Sequence, residues 1–178
     1  GAEIFTAIEL ATEWLLRGDC ELCVVVAGEE VDWLSAEAVG LHSEQLIPSE
    51  GAGAIILERD GKGPLLQAVP DPVTYSEISD RAEALRKLRG ELSADDGQTL
   101  LVDSRSGIDW IDAIENVVFG DWKGPRISTK EILGEALGAS ASLQLVAAVE
   151  ILKAGEAEKA MVTSLGANEQ AAGCLLGR

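Results

Sequence analysis

Apolar residues at Ile4, Ala7, Ile8, Ala11 and Leu15 recur at steps of three and four, so residues 3–17 are predicted to form a helix that stops at Gly18. The run 22–27 is continuously apolar and Val-rich, and it ends at Gly28. That pattern predicts a strand buried on both faces of a parallel-type sheet. Residues after Glu30, to Pro48, read as a polar irregular stretch. Alternation and turn residues then predict strands over 52–59 and 65–69, joined by the turn Asp60-Gly61-Lys62-Gly63-Pro64. A polar helix follows over 76–92, a buried strand over 99–103, a helix over 108–119 and a nearly all-apolar helix over 139–153. Strands from Ala160 toward Gly166 and over 172–178 close the chain. Alternating strands and helices indicate the α/β class.

The order of elements repeats. A helix through Trp14 and Leu15 leads into Gly18-Asp19-Cys20-Glu21 and a strand; a second helix, through Ala148 and Ile151, leads into Gly155-Glu156-Ala157-Glu158 and a strand. Each copy closes with a Gly-containing strand, Ala52-Gly53-Ala54-Ile55-Ile56-Leu57 in the first and Ala172-Gly173-Cys174-Leu175-Leu176 in the second. Duplication of one α/β unit accounts for four features in the same order.

Charge narrows the partners. Fourteen Lys and Arg stand against 31 Asp and Glu, a formal charge of −17 over 178 residues. A field of that sign repels nucleic acid and anionic membrane surfaces. With three cysteines, no apolar leader and no uninterrupted membrane-length run, a reduced cytoplasmic setting is expected. The chain opens on Gly1 and enters helical periodicity at once, so residues upstream are expected.

Four segments together resemble the β-ketoacyl synthases of the thiolase superfamily. They are Gly18 to Gly28; Ser49-Glu50-Gly51-Ala52-Gly53-Ala54; Val102-Asp103-Ser104-Arg105-Ser106-Gly107 with Asp112 and Glu115; and Ser128-Thr129-Lys130 through Gly134-Glu135 to Ala139. The resemblance implies a thiolase-like fold of duplicated, layered α/β units, truncated at the amino-terminal half. One domain over 1–178 is expected, 1–62 ending the amino-terminal unit and 63–178 forming the carboxy-terminal one. No cofactor or metal is implied.

In that family a cysteine thiolate condenses acyl thioesters with the help of two imidazoles. Here the cysteine position falls at Gly1, the first imidazole position at Ser104 and the second at Glu135, five residues after Lys130. A serine hydroxyl is a weaker donor and no base near neutral pH. A carboxylate repels the negative charge that develops on the substrate oxygen. Lys130 is expected to form a structural ion pair with Glu135. Thr163 to Asn168 occupies the place of the family's aromatic gating loop and has no aromatic residue.

The resemblance leaves three functions open: a non-catalytic partner subunit resembling a chain-length factor, a diverged acyltransferase or hydrolase with its nucleophile upstream, and a plain interaction module. The partner expected is an active ketosynthase or a second copy. Arg81, Arg86, Lys87 and Arg89 offer either a docking patch for an acidic acyl carrier protein or a solvated face balanced by Glu77, Glu83 and Glu91. Cys20 and Cys23 have redox or zinc half-site spacing without a second pair, and Cys174 reads as a buried hydrophobe. His42 is expected on the surface. Each of the four tryptophans is expected to anchor a core or an interface.

Overall fold

The computed structural model describes residues 2–94, 97–166 and 169–178. The elements in chain order are α1 (Glu3–Arg17), β1 (Leu22–Glu29), α2 (Trp33–His42), β2 (Gly51–Glu58), β3 (Leu65–Ala68), β4 (Val73–Thr74), α3 (Arg81–Leu92), β5 (Leu100–Asp103), α4 (Asp109–Val118), β6 (Arg126–Ser128), α5 (Lys130–Leu133), α6 (Ser140–Ala154), β7 (Lys159–Gly166) and β8 (Gln170–Gly177). Single 3₁₀ turns at Ile78–Asp80 and Leu137–Ala139 lead into α3 and α6.

The layers follow from where apolar side chains point. Helices α1 and α6 lie between the antiparallel β1–β2 pair and a six-stranded mixed sheet of order β3-β8-β7-β5-β6, with β4 beside β8. Strand β5 runs parallel to β6 and β7, while β8 is antiparallel to β7. Alternation splits the sheet's side chains between two cores. Leu100, Val102, Ala160 and Val162 face Ile4, Phe5, Ile8 and Leu145, whereas Leu101 and Met161 face Leu85, Leu88 and Leu92 of α3. Residues 137–154 match a membrane span in length and composition, but α6 packs on strands of both sheets. It is a core helix.

The repeat is visible in backbone geometry. Gly18 (φ 79) and Gly155 (φ 74) end α1 and α6 in the left-handed region, which glycine adopts without a Cβ penalty. In each, the glycine N–H and the next N–H return to the helix's last carbonyls: Gly18 to Leu15 and Asp19 to Trp14, Gly155 to Leu152 and Glu156 to Ile151. Each helix is followed by an antiparallel pair of eight-residue strands.

Two expectations need correction, and two short strands carried none. Strand β1 pairs antiparallel with β2, and only its inner face is covered. Val24 is 56% and Val26 63% exposed, because a continuous apolar run does not record which face a layer covers. The stretch read as irregular contains α2, started by a reciprocal cap in which Ser35 N–H donates to Asp32 Oδ1 at 2.8 Å and Asp32 N–H to Ser35 Oγ at 2.9 Å. Strands β4 and β6 have two and three residues, too short for a periodic signal. Of the tryptophans expected to anchor a core or an interface, Trp122 packs against the second core, while Trp14, Trp33 and Trp110 are exposed, which leaves the interface alternative for them.

Candidate functional site

Ser104, Lys130 and Glu135 come together in a cleft of about 810 Å³, with Glu115 and Ser140 beside them and apolar walls that include Val39, Ile111 and Leu137. Ser104 follows the last residue of β5. Its loop is held by one face of α4: Asp112 accepts from Ser106 N–H at 2.8 Å and Gly107 N–H at 2.9 Å, and Glu115, one turn on, accepts from Ser104 N–H and Oγ–H, both at 3.0 Å. Leu165 N–H in turn donates to Ser104 Oγ at 3.3 Å. The hydroxyl is therefore engaged on both sides, and Ser104 is 7% exposed.

Charge below this loop is compensated. Asp103 is fully buried and takes both Arg105, at 2.9 Å, and Arg126, as a buried carboxylate requires. Among the described residues, no cation pairs with Glu115. Burial, with Asp103 adding repulsion, pushes its pKa up to about 7, although the Ser104 N–H and the Lys130 charge oppose the rise.

Glu135 is placed by a tight backbone crossing. Glu135 N–H donates to Ile47 O at 2.8 Å and Ser49 N–H to Glu135 O at 3.0 Å. A Cβ on Gly134 (φ 87) would stand 2.5 Å from Ile47 O, so glycine is required there. Lys130 Nζ lies 2.7 Å from Glu135 Oε2. Oε1 accepts from Ser140 Oγ at 2.8 Å and from Leu137 N–H at 2.9 Å, and Leu137 holds a left-handed φ of 39. Burial alone would raise the Glu135 pKa; the Lys130 charge and these donors outweigh it and hold the carboxyl below its ordinary value. At neutral pH Glu135 is an anion with its donors supplied.

The architecture matches solved structures throughout its length. The ishigamide ketosynthase/chain length factor superposes with TM-score 0.78 at 20% identity, covering 97% of this chain and 53% of that one. A type II polyketide ketosynthase in complex with its acyl-carrier protein, AntDE:AntF, gives 0.76 at 16%, covering 98% and 56%. A β-ketoacyl synthase from Burkholderia phymatum STM815 gives 0.73 at 17%, covering 97% and 58%. The fold is like that of these β-ketoacyl synthase structures. The chain spans a little over half the length of these structures. No protein-family model matches it, nor does any curated protein.

Within the ketosynthase-like fold, the three residues singled out from sequence share one cleft. Gly1, Ala167 and Asn168, to which the nucleophile position and part of the gating loop were assigned, lie outside the described residues. His42 is exposed at the cleft mouth, its ring 5.8 Å from that of Trp110.

The basic cluster does not form one face. Arg86 and Lys87 are exposed, but Arg81 lines the cleft, stacked 5.8 Å over Tyr75. Arg89 turns inward, donating to Val118 O, pairing with Asp121 at 2.7 Å and lying 5.4 Å over the Phe119 ring. Side chains at 81, 86, 87 and 89 point around the helix, so close sequence spacing does not make a patch.

Sequence reasoning missed Ser140, Arg105, Arg126 and Gln144. Gln144 carried a signal, being the one polar residue within the apolar run from Leu143 to Val149. Its Nε2 donates to Asp103 O and to Thr163 O at 3.1 Å, tying β5 to β7 beneath the site. Arg126 carried none.

Proposed function

We propose that the chain is a β-ketoacyl synthase-like protein of fatty acid or polyketide-type assembly that does not condense acyl chains itself and serves as a non-catalytic partner of an active ketosynthase. The observation that carries this is the state of Glu135. An anion locked to Lys130, Ser140 and Leu137 N–H occupies the position from which, by resemblance, a neutral or cationic donor would face the substrate oxygen. Loss of one such donor costs about 10²–10³ in rate, and a fixed negative charge adds repulsion. Ser104 does not replace the other donor, because its hydroxyl is already donated to Glu115. Support from likeness is limited to fold: one similar structure is a ketosynthase/chain length factor and another a ketosynthase in complex with its acyl-carrier protein. The division into units over 1–62 and 63–178 belongs to the same proposal.

The test combines the protein with an active ketosynthase and a malonyl-loaded carrier protein, and compares product chain length with and without it. A changed product distribution, with no acyl adduct on this chain by intact mass, is the expected result. β-Ketoacyl product from this protein alone overturns the proposal.

One observation favours a second reading, a diverged hydrolase or acyltransferase: Ser104 Oγ lies 3.0 Å from a carboxylate whose pKa is near 7. A hydroxyl beside such a base is the beginning of a nucleophile pair. An acyl adduct mapped to Ser104 after incubation with an acyl thioester selects that reading.

A further inference from the structure

At the end of α1 remote from the cleft lies a dithiol that the ketosynthase-like reading does not use. Glu3 of α1 lines the cleft, and twelve residues on, about 18 Å along the helix at 1.5 Å per residue, Leu15 sits beside the turn that carries Cys20. Cys20 Sγ and Cys23 Sγ are 3.2 Å apart. Cys23 also reaches Ala11 O at 3.8 Å. If the Cys23 hydrogen is directed there, the Cys20 thiol is left to donate to the Cys23 sulfur. Neither cysteine is buried, whereas Cys174 is buried and its thiol is pushed up to about 12 by that burial.

Three facts separate this pair from a chance pair of small hydrophobes. The turn Gly18-Asp19-Cys20-Glu21 is fixed at both ends, by the left-handed Gly18 cap and by the pairing of Leu22 with Glu58, so the sulfurs are held near one another. The Arg59 guanidinium donates to Leu15 O at the same turn and puts a positive charge close to Cys20. A disulfide needs about 2.05 Å between sulfurs, which is a shift of about 1 Å from the observed separation.

We propose that Cys20 and Cys23 form a reversible two-electron redox site that closes an intramolecular disulfide by exchange with small-molecule disulfides. Cys20, on the turn, loses its proton to solvent and attacks one sulfur of the disulfide RSSR, forming a mixed disulfide and releasing RS⁻, while Cys23 packs against the first core. Cys23, deprotonated in turn, attacks Cys20 Sγ, forming the Cys20–Cys23 bond and releasing the second RS⁻. Two electrons pass from the protein to RSSR, and the two protons end on two RSH. The Cys23 thiol holds the Cys20 pKa above its ordinary value, so exchange is slow near neutral pH and accelerates as pH rises.

Oxidised glutathione is the probe. The folded protein is incubated with graded ratios of oxidised to reduced glutathione, then denatured, alkylated and mapped by peptide mass. The expected result is a peptide linked through Cys20 and Cys23, with Cys174 still alkylated, reverting when reduced glutathione is in excess. Cys23→Ser is expected to stop at a glutathione adduct on Cys20, the trapped first step. The proposal is overturned if wild-type protein accumulates a stable glutathione adduct on Cys20 with no linked peptide, or if both cysteines remain fully alkylated under excess oxidised glutathione at alkaline pH.

Discussion

Lys130 Nζ and Glu135 Oε2 stand 2.7 Å apart, with side chains only 11% and 15% exposed. A pair so enclosed is worth little against an apolar pair of the same volume, but removing one member strands the other. Lys130→Met is expected to destabilise the protein by about 3 kcal/mol, read as a lower denaturant midpoint, and Lys130→Met with Glu135→Gln, which removes the stranded charge and keeps an acceptor for Ser140 Oγ and Leu137 N–H, to recover most of that loss. Because the Glu135 pKa is held low, its contribution is present above the ordinary carboxylate pKa and disappears as pH falls through the lowered value. Equal stability of Lys130→Met and wild type at pH 7 would remove the basis for treating Glu135 as a locked anion.

Glu115 has the opposite sign. Its folded pKa of about 7 lies above the unfolded carboxylate value, so the folded state binds more protons between the two. Stability is full below the unfolded pKa and falls as pH rises through about 7, by on the order of 3 kcal/mol. Glu115→Gln keeps an acceptor for Ser104 N–H and cannot ionise, so its stability should change less between pH 5 and pH 8 than that of wild type. Urea denaturation at several pH values checks this against the general self-repulsion of an acidic protein, which both proteins share. Parallel curves would count against the assigned pKa.

Most of the core was legible because α1, α6 and the strands around them obey periodicities that the cores enforce. Ile4, Ile8, Ala11 and Leu15 are buried at the steps the sequence shows. The helix-glycine-strand repeat was legible for a similar reason, since a left-handed residue selects glycine at 18 and 155 whatever surrounds it. Short elements were not: β6 exists because β5 offers it an edge, which is information from residues 100–103 and not from 126–128. The site was half legible. Lys130 and Glu135, five apart, announced their pair, and Asp112 and Glu115 their shared helix face. The two arginines on Asp103 did not, because one lies 23 residues away across a sheet edge. Burial of the outer face of β1 was misjudged, since apolar composition specifies an affinity for cover and not the layer that supplies it.

Strand β2 packs tightly on α6 where Gly53 meets Ser142. A Cβ at Gly53 would lie 2.6 Å from Ser142 Oγ and 2.8 Å from its Cβ, and Ser142 is fixed from behind by its bond to Ala139 O at 2.7 Å. The serine has no open rotamer to take without breaking that bond, and its Cβ does not move with rotation at all. Gly53→Ala should therefore cost about 1–3 kcal/mol, the range for overpacking a filled core, although alanine is otherwise the better strand residue. Ser142→Gly removes the obstructing atoms and by itself costs up to about 1 kcal/mol in helix propensity. The combined variant should be more stable than the sum of the two single losses predicts, by at least about 1 kcal/mol. Strict additivity in that double-mutant cycle would show that β2 and α6 shift apart freely, and the close seating of α6 against the first strand pair would then be no determinant of where Ser140 and Glu135 stand.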